Sequence, residues 1–118
     1  SRASLREAVL EFADLRGAAL DEAHLRDANL GGSDMHHAKL NKADLRGAIL
    51  SDADCWRADL SGAKLTGATL HGTDLSYANL RGADLRNADL QNVQLHSASL
   101  ANSRFSESQK EALAATSN

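Results

Sequence analysis

Three kinds of side chain in this sequence could carry chemistry. His36 and His37 stand side by side, with Asp34 close in sequence and His96 far along the chain. Cys55 is the single thiol. Trp56, Arg57 and Tyr77 bring the aromatic and guanidinium groups that anchor binding hot spots. A structural zinc site needs four well-placed ligands, and adjacent histidines project in different directions, so no metal is expected. A nucleophilic cysteine needs an exposed, activated thiolate with a base in reach. Cys55 instead falls in a periodic apolar series, where a free cysteine acts as a small hydrophobe. No phosphate-binding glycine loop, HExxH helix or GxSxG elbow occurs. The expectation is a protein without catalysis, cofactor or metal, in which the chemistry lies in recognition.

The elements that position these residues follow from one repeat. Every residue numbered in fives, from Leu5 to Phe105, is a large apolar one: 18 Leu plus Met35, Cys55 and Phe105. Two residues before each stands a small or short side chain, Ala in 17 of the 21 units. A five-residue step turns about 500° on an α-helix, so the Leu row would wind around the whole surface. On a flat strand a step of five swaps faces each time. The chain must therefore turn a corner every five residues and return its Leu inward, as a solenoid with a filled axis. Gly17, Gly47, Gly62, Gly67, Gly72 and Gly82 fall two residues after a Leu, as do Asn87, Asn92 and Asn102. Those residue types tolerate a tight turn best.

Composition agrees. The chain has 118 residues, net charge −3, no Pro and only 3% aromatic residues. A narrow interior takes Leu and Ala and seldom a ring, which accounts for the aromatic shortage. The mixed, mildly acidic charge disfavours direct nucleic-acid binding. One cysteine excludes a disulfide framework, and no apolar run is long enough to span a membrane. No basic-then-apolar leader opens the sequence, so a cytoplasmic location is expected. The Ser1-Arg2 start, without Met, reads as a trimmed fragment.

Units such as Ala43-Asp44-Leu45-Arg46-Gly47 and Ala83-Asp84-Leu85-Arg86-Asn87 resemble those of pentapeptide repeat proteins, over about nine-tenths of the chain. The resemblance implies an all-β solenoid, a right-handed quadrilateral β-helix of about five 20-residue coils. Recurrence at intervals of 20 supports it: Arg6, Arg26, Arg46 and Arg86, and Asp14, Asp34, Asp54 and Asp74. The stacked coils should measure about 25 Å. The β-helix is assigned to residues 1–107, with Phe105 as a plug. Residues 108–118 are assigned to a C-terminal capping helix and tail, opened by a Ser108–Glu111 capping box, with Leu113 laid over Phe105.

Four units per coil sort the outward residues onto four faces. The Leu5 face carries Arg6, Arg26, Arg46, Lys64, Arg86 and Arg104 against five acids, and is expected to be laced with ion pairs. The Leu20 face is neutral and featureless. The Leu10 face is acidic and points Val9, Phe12 and Ile49 outward beside Gly31-Gly32, a second candidate surface. The Leu15 face is the richest. It stacks Asp14, Asp34, Asp54 and Asp74 and displays Trp56, Tyr77, Arg57, His36 and His37, the first candidate surface for a partner. Stacked aspartates repel unless they fold back onto backbone N–H groups, which Asp does readily at turns.

The function expected is a rigid protein–protein interaction scaffold, or a module of a larger protein. The resemblance offers an alternative, a DNA-mimic modulator that inhibits or protects DNA gyrase. An end-to-end homodimer is a further possibility, because β-helix ends expose unpaired backbone.

Overall fold

A computed structural model describes residues 4–116. Its organising feature is a ladder of parallel β-bridges joining each residue to the one 20 positions on. The ladder runs from Ser4–His24 to Asp84–Arg104 without a break in register. Each side of the coil is too short for a full strand and contributes a single bridge. Three hydrogen bonds per side tie one coil to the next, as Leu25 N to Asp44 O at 2.8 Å, Asp27 N to Arg46 O at 3.1 Å and Ile49 N to Ala28 O at 2.9 Å.

The corners explain how five residues make a side. The N–H three residues beyond each inward Leu donates back to that Leu's carbonyl, as Ala8 does to Leu5 at 3.0 Å, closing a tight turn. The residue just before that N–H has φ between 57° and 71° at every corner from Glu7 to Asn102. Positive φ at this position alone is the signature of a type II turn. Glycine there does more than relax the backbone. A side chain on Gly47 would strike the Asp27 carboxylate of the coil below.

The corners send the Leu and Ala rows inward, and from Leu20 to Ala88 nearly all of them are buried. Met35 and Cys55 take Leu slots at 0% and 1% exposure. Burial pushes the Cys55 thiol far above its usual range, and Asp54, Asp74 and Asp34 push in the same direction, so it is inert. At the ends the core thins: Leu5, Leu10, Leu15, Leu90, Leu95 and Phe105 are only partly buried.

The one helix among the described residues, α1 (Glu107–Thr116), closes part of the C-terminal end. Its capping box lies two residues earlier than Ser108–Glu111. Ser106 is the N-cap, and its N–H and Oγ both donate to Gln109 Oε1, at 2.7 and 3.0 Å. Gln109 Nε2 in turn donates to Leu85 O at 2.6 Å and Ala88 O at 2.9 Å. In the coil below, Ala68 O takes the backbone N–H of Asp89, 21 residues on. Ala88 O takes the side-chain amide of Gln109, also 21 residues on. The side chain thus supplies the donor that a further coil would have supplied. Leu113 lines an apolar groove with Ala88, Leu90, Val93 and Ala112, and Phe105 is not among the groove's walls.

The molecule measures 38 × 20 × 19 Å. Among the described residues no helix is long and apolar enough to cross a membrane.

Two inward polar residues give a paired test. Thr73 Oγ1 is buried but donates to Leu50 O at 2.6 Å. Ser33 Oγ, equally buried, has no hydrogen-bond partner. Ser33→Ala should therefore stabilise the fold by about 1 kcal/mol, and Thr73→Ala should destabilise it by about 1 kcal/mol. Urea unfolding of both variants checks the opposite signs.

Candidate partner-binding corner

The aspartates of the repeat are held by the backbone. Asp14, Asp34, Asp54 and Asp74 each accept the N–H two residues on, at 3.3, 3.3, 3.0 and 3.0 Å. Asn29 and Asn79 make the same bond, at 3.1 Å each, so it needs the oxygen and not the charge. The Asp column is therefore first a turn-forming device. Ion pairs relieve part of its charge. Arg16 binds Asp14 through two nitrogens at 2.7 Å and reaches Asp34 at 4.0 Å. On the Leu5 face, Arg46 and Arg86 grip Asp44 and Asp84 in the same two-pronged way. Arg104 also reaches Asp84, at 4.0 Å.

The first candidate surface is one connected structure. Five rings run along the Leu15 corner, each meeting the next edge to face. Centroid separations are 5.4 Å for His36–His37, 5.4 Å for His37–Trp56, 6.0 Å for Trp56–Tyr77 and 5.5 Å for Tyr77–His96. The ladder zigzags between two columns, because the first and second corner residues of successive coils alternate as ring bearers. Arg57 fills the gap, its guanidinium 4.9 Å from the Trp56 centroid and 5.1 Å from that of Tyr77. Trp56 is half-buried under these neighbours and not fully displayed, whereas Tyr77 is 43% exposed. His96, which the sequence places on the same face, completes the ladder. Its place follows from the 20-residue register, which sets it diagonally above Tyr77.

The structure does not unite the second candidate surface in the same way. Val9 and Ile49 are separated by Asn29 in the bridge ladder, so they lie two coils apart. Phe12, 81% exposed, lays its ring across Gly32, where a Cβ would collide with it. Glu11, Phe12, Gly31, Gly32, Ile49 and Asp52 line only a shallow notch.

One group on the Leu15 corner brings possible metal-ligating atoms together. Single atoms of Asp34, His36 and Asp54 all lie within 4.8 Å of one another. His37 is not part of it, because its ring stands edge-on between His36 and Trp56.

A quadrilateral β-solenoid with Leu inward at every fifth residue defines a class of repeat protein. The family model for pentapeptide repeats matches in 8 copies, over residues 3–41, 28–67, 38–76 and 68–107, and the chain belongs to the pentapeptide repeat family. Its fold is that family's right-handed quadrilateral β-helix. Among solved structures it is similar to the pentapeptide repeat protein Rfr23 from the cyanobacterium Cyanothece 51142. The two are 33% identical with a TM-score of 0.78, over 80% of this chain and 65% of that one. It is also similar to a pentapeptide repeat protein from the Arabidopsis thaliana thylakoid lumen, at 27% identity and a TM-score of 0.54, over 88% of this chain and 79% of that one. QnrB1, a plasmid-mediated fluoroquinolone resistance protein, matches at 20% identity and a TM-score of 0.48, over 98% of this chain and 70% of that one. No curated protein matches the chain.

The ion pairs predict how stability depends on acid. Side-chain and backbone hydrogen bonds from Arg16 hold the Asp14 carboxyl down to about 2. Arg46 and Arg86 likewise lower Asp44 and Asp84, chiefly through their side-chain hydrogen bonds. A folded-state pKa below the unfolded value of about 3.9 means stabilisation that is complete above that value. It is lost as pH falls through the folded one. The Tm should fall between about pH 4 and pH 2, modestly because these pairs lie at the surface. Asp44→Asn keeps the turn-forming oxygen without the charge and should flatten the drop. A Tm indifferent to pH in this window contradicts the assignment.

Proposed function

We propose that the chain is a non-catalytic interaction module, a stiff rod of about five coils that docks a protein partner along the Leu15 corner. The observation that carries this reading is the continuous ladder of rings from His36 to His96, with the Arg57 guanidinium over Trp56 and Tyr77. His37, Arg57 and Tyr77 occupy three successive corners of one column, with φ of 63°, 57° and 61°. Bulky residues disfavour this conformation, and Gly or Asn serves the turn better. Seven other corners of this fold use Gly. Glu7, Phe12, Glu22 and Lys42 take the same conformation on the other faces, but among the described residues the rings on this corner join into one continuous ladder, which the core does not require. A rod that is already rigid also loses little entropy on binding. A cytoplasmic setting and a protein partner fit the composition, and the mixed charge does not suit nucleic acid.

The double variant Trp56→Ala, Tyr77→Ala should keep its circular dichroism spectrum and lose partner capture in pull-downs. Recovery of the same partners at the same strength would overturn the assignment.

The DNA-mimic alternative requires a continuous acidic stripe. Arg16, Arg46 and Arg86 interrupt it by pairing with Asp14, Asp44 and Asp84. The expected result is therefore no effect on DNA gyrase supercoiling at micromolar protein. Inhibition or protection at that concentration would favour the mimic.

A further inference from the structure

The geometry points to a divalent transition-metal site at Asp34, His36 and Asp54, in which one ion bridges two successive coils. The fold itself builds the arrangement. On the Leu15 corner, the first turn residue of each coil stands between its own aspartate and the aspartate one coil on. Arg16 shows the pattern with a permanent cation, 2.7 Å from Asp14 and 4.0 Å from Asp34. His36 repeats it with an imidazole: its Nδ1 is 2.7 Å from Asp34 Oδ1 and 4.0 Å from Asp54 Oδ2. The next positions are Trp56 and Ser76, which offer no ring nitrogen lone pair. The same two-carboxylate cradle thus recurs along the corner, and one coil fills it with a metal ligand.

The distances suit an ion. Bonds of about 2.0–2.2 Å to nitrogen and oxygen place neighbouring ligand atoms roughly 3–3.5 Å apart. The short contact must open slightly and the long one close slightly. Asp54 is prepared for this. Its Oδ1 is held by the Trp56 N–H at 3.0 Å, which leaves Oδ2 toward His36. The side chains of Asp34 and Asp54 are 42% and 50% exposed, so water can complete the coordination shell. One imidazole and two carboxylates, with the only thiol buried inside the coil, select borderline ions such as Zn²⁺ and Ni²⁺ over thiophilic ones. Arg16 near Asp34 opposes the ion's charge, so the site is an exchangeable one. An ion held between two coils would also stabilise the fold by mass action.

The chain supplies its own probe, because Trp56 is its only tryptophan and lies one ring beyond His37. Tag-free protein is titrated with Ni²⁺ while Trp56 fluorescence is followed, and Zn²⁺ is then added as competitor. The site requires saturable quenching reversed by Zn²⁺, and a Zn²⁺-dependent rise in Tm. His36→Ala and Asp54→Asn should each weaken the affinity about tenfold or more. Asn at position 54 can keep the turn-forming bond, as Asn29 and Asn79 do. His37→Ala should leave the affinity within about twofold, since its ring lies outside the ligand set. The proposal is overturned by quenching that does not saturate, by unchanged affinity in His36→Ala or Asp54→Asn, or by a loss in His37→Ala equal to that in His36→Ala. None of these readouts depends on the protein partner.

Discussion

Everything in this molecule hangs on the corner. A left-handed residue, locked by a three-residue hydrogen bond, turns the chain every five positions and returns an apolar side chain to the axis. Each corner alone is a weak element, and bulky residues there cost conformational energy. The coil above repays that cost with three backbone hydrogen bonds per side and a buried layer of Leu and Ala. Stability is therefore collective along the axis, as in other solenoids, and each layer depends mainly on its neighbours.

The same constraint turns sequence spacing into surface chemistry. Residues 20 apart become neighbours in a column, so a change at one position meets the same position on the next coil. Aspartates that would repel as bare charges are instead absorbed into turn hydrogen bonds, with Arg16, Arg46 and Arg86 gripping three of them. Where the column holds rings, the geometry extends them into a ladder through His37, Trp56 and Tyr77. Where it holds a lone imidazole, the flanking carboxylates converge on His36. Recognition surface and candidate ion site are two uses of one lattice.

The solenoid was legible in the sequence because period five excludes helix and flat strand, and Gly and Asn mark the corners. The Leu15 face was legible once the 20-residue coil was adopted. Diagonal relations were not. His96 meets Tyr77 across two columns, and Trp56 is half-covered by Arg57 and His37, neither of which a count of outward positions reveals. The helix cap was misplaced for a related reason. Ser106–Gln109 and Ser108–Glu111 both match the capping-box pattern in sequence, but only Gln109 sits in register to serve Ala88 O and Leu85 O. That demand comes from the coil below and leaves no local trace. Leu113 follows from it, since a helix anchored through Gln109 sets this side chain on the wall of the groove that Leu90 and Val93 also line.

Stability is layered: the C-terminal end is closed in part by a side chain in register, and Leu5, Leu10 and Leu15 of the first described coil are only partly buried. Hydrogen exchange resolved along the chain measures this directly. Amides of the middle coils, such as Leu45 N and Leu65 N, should exchange slowest. The first coil, at Leu5 N to Leu20 N, should open before Leu85 N, which lies next to the carbonyls held by Gln109. Uniform protection from Leu5 to Leu85, or opening that begins at the Gln109 end, would contradict it.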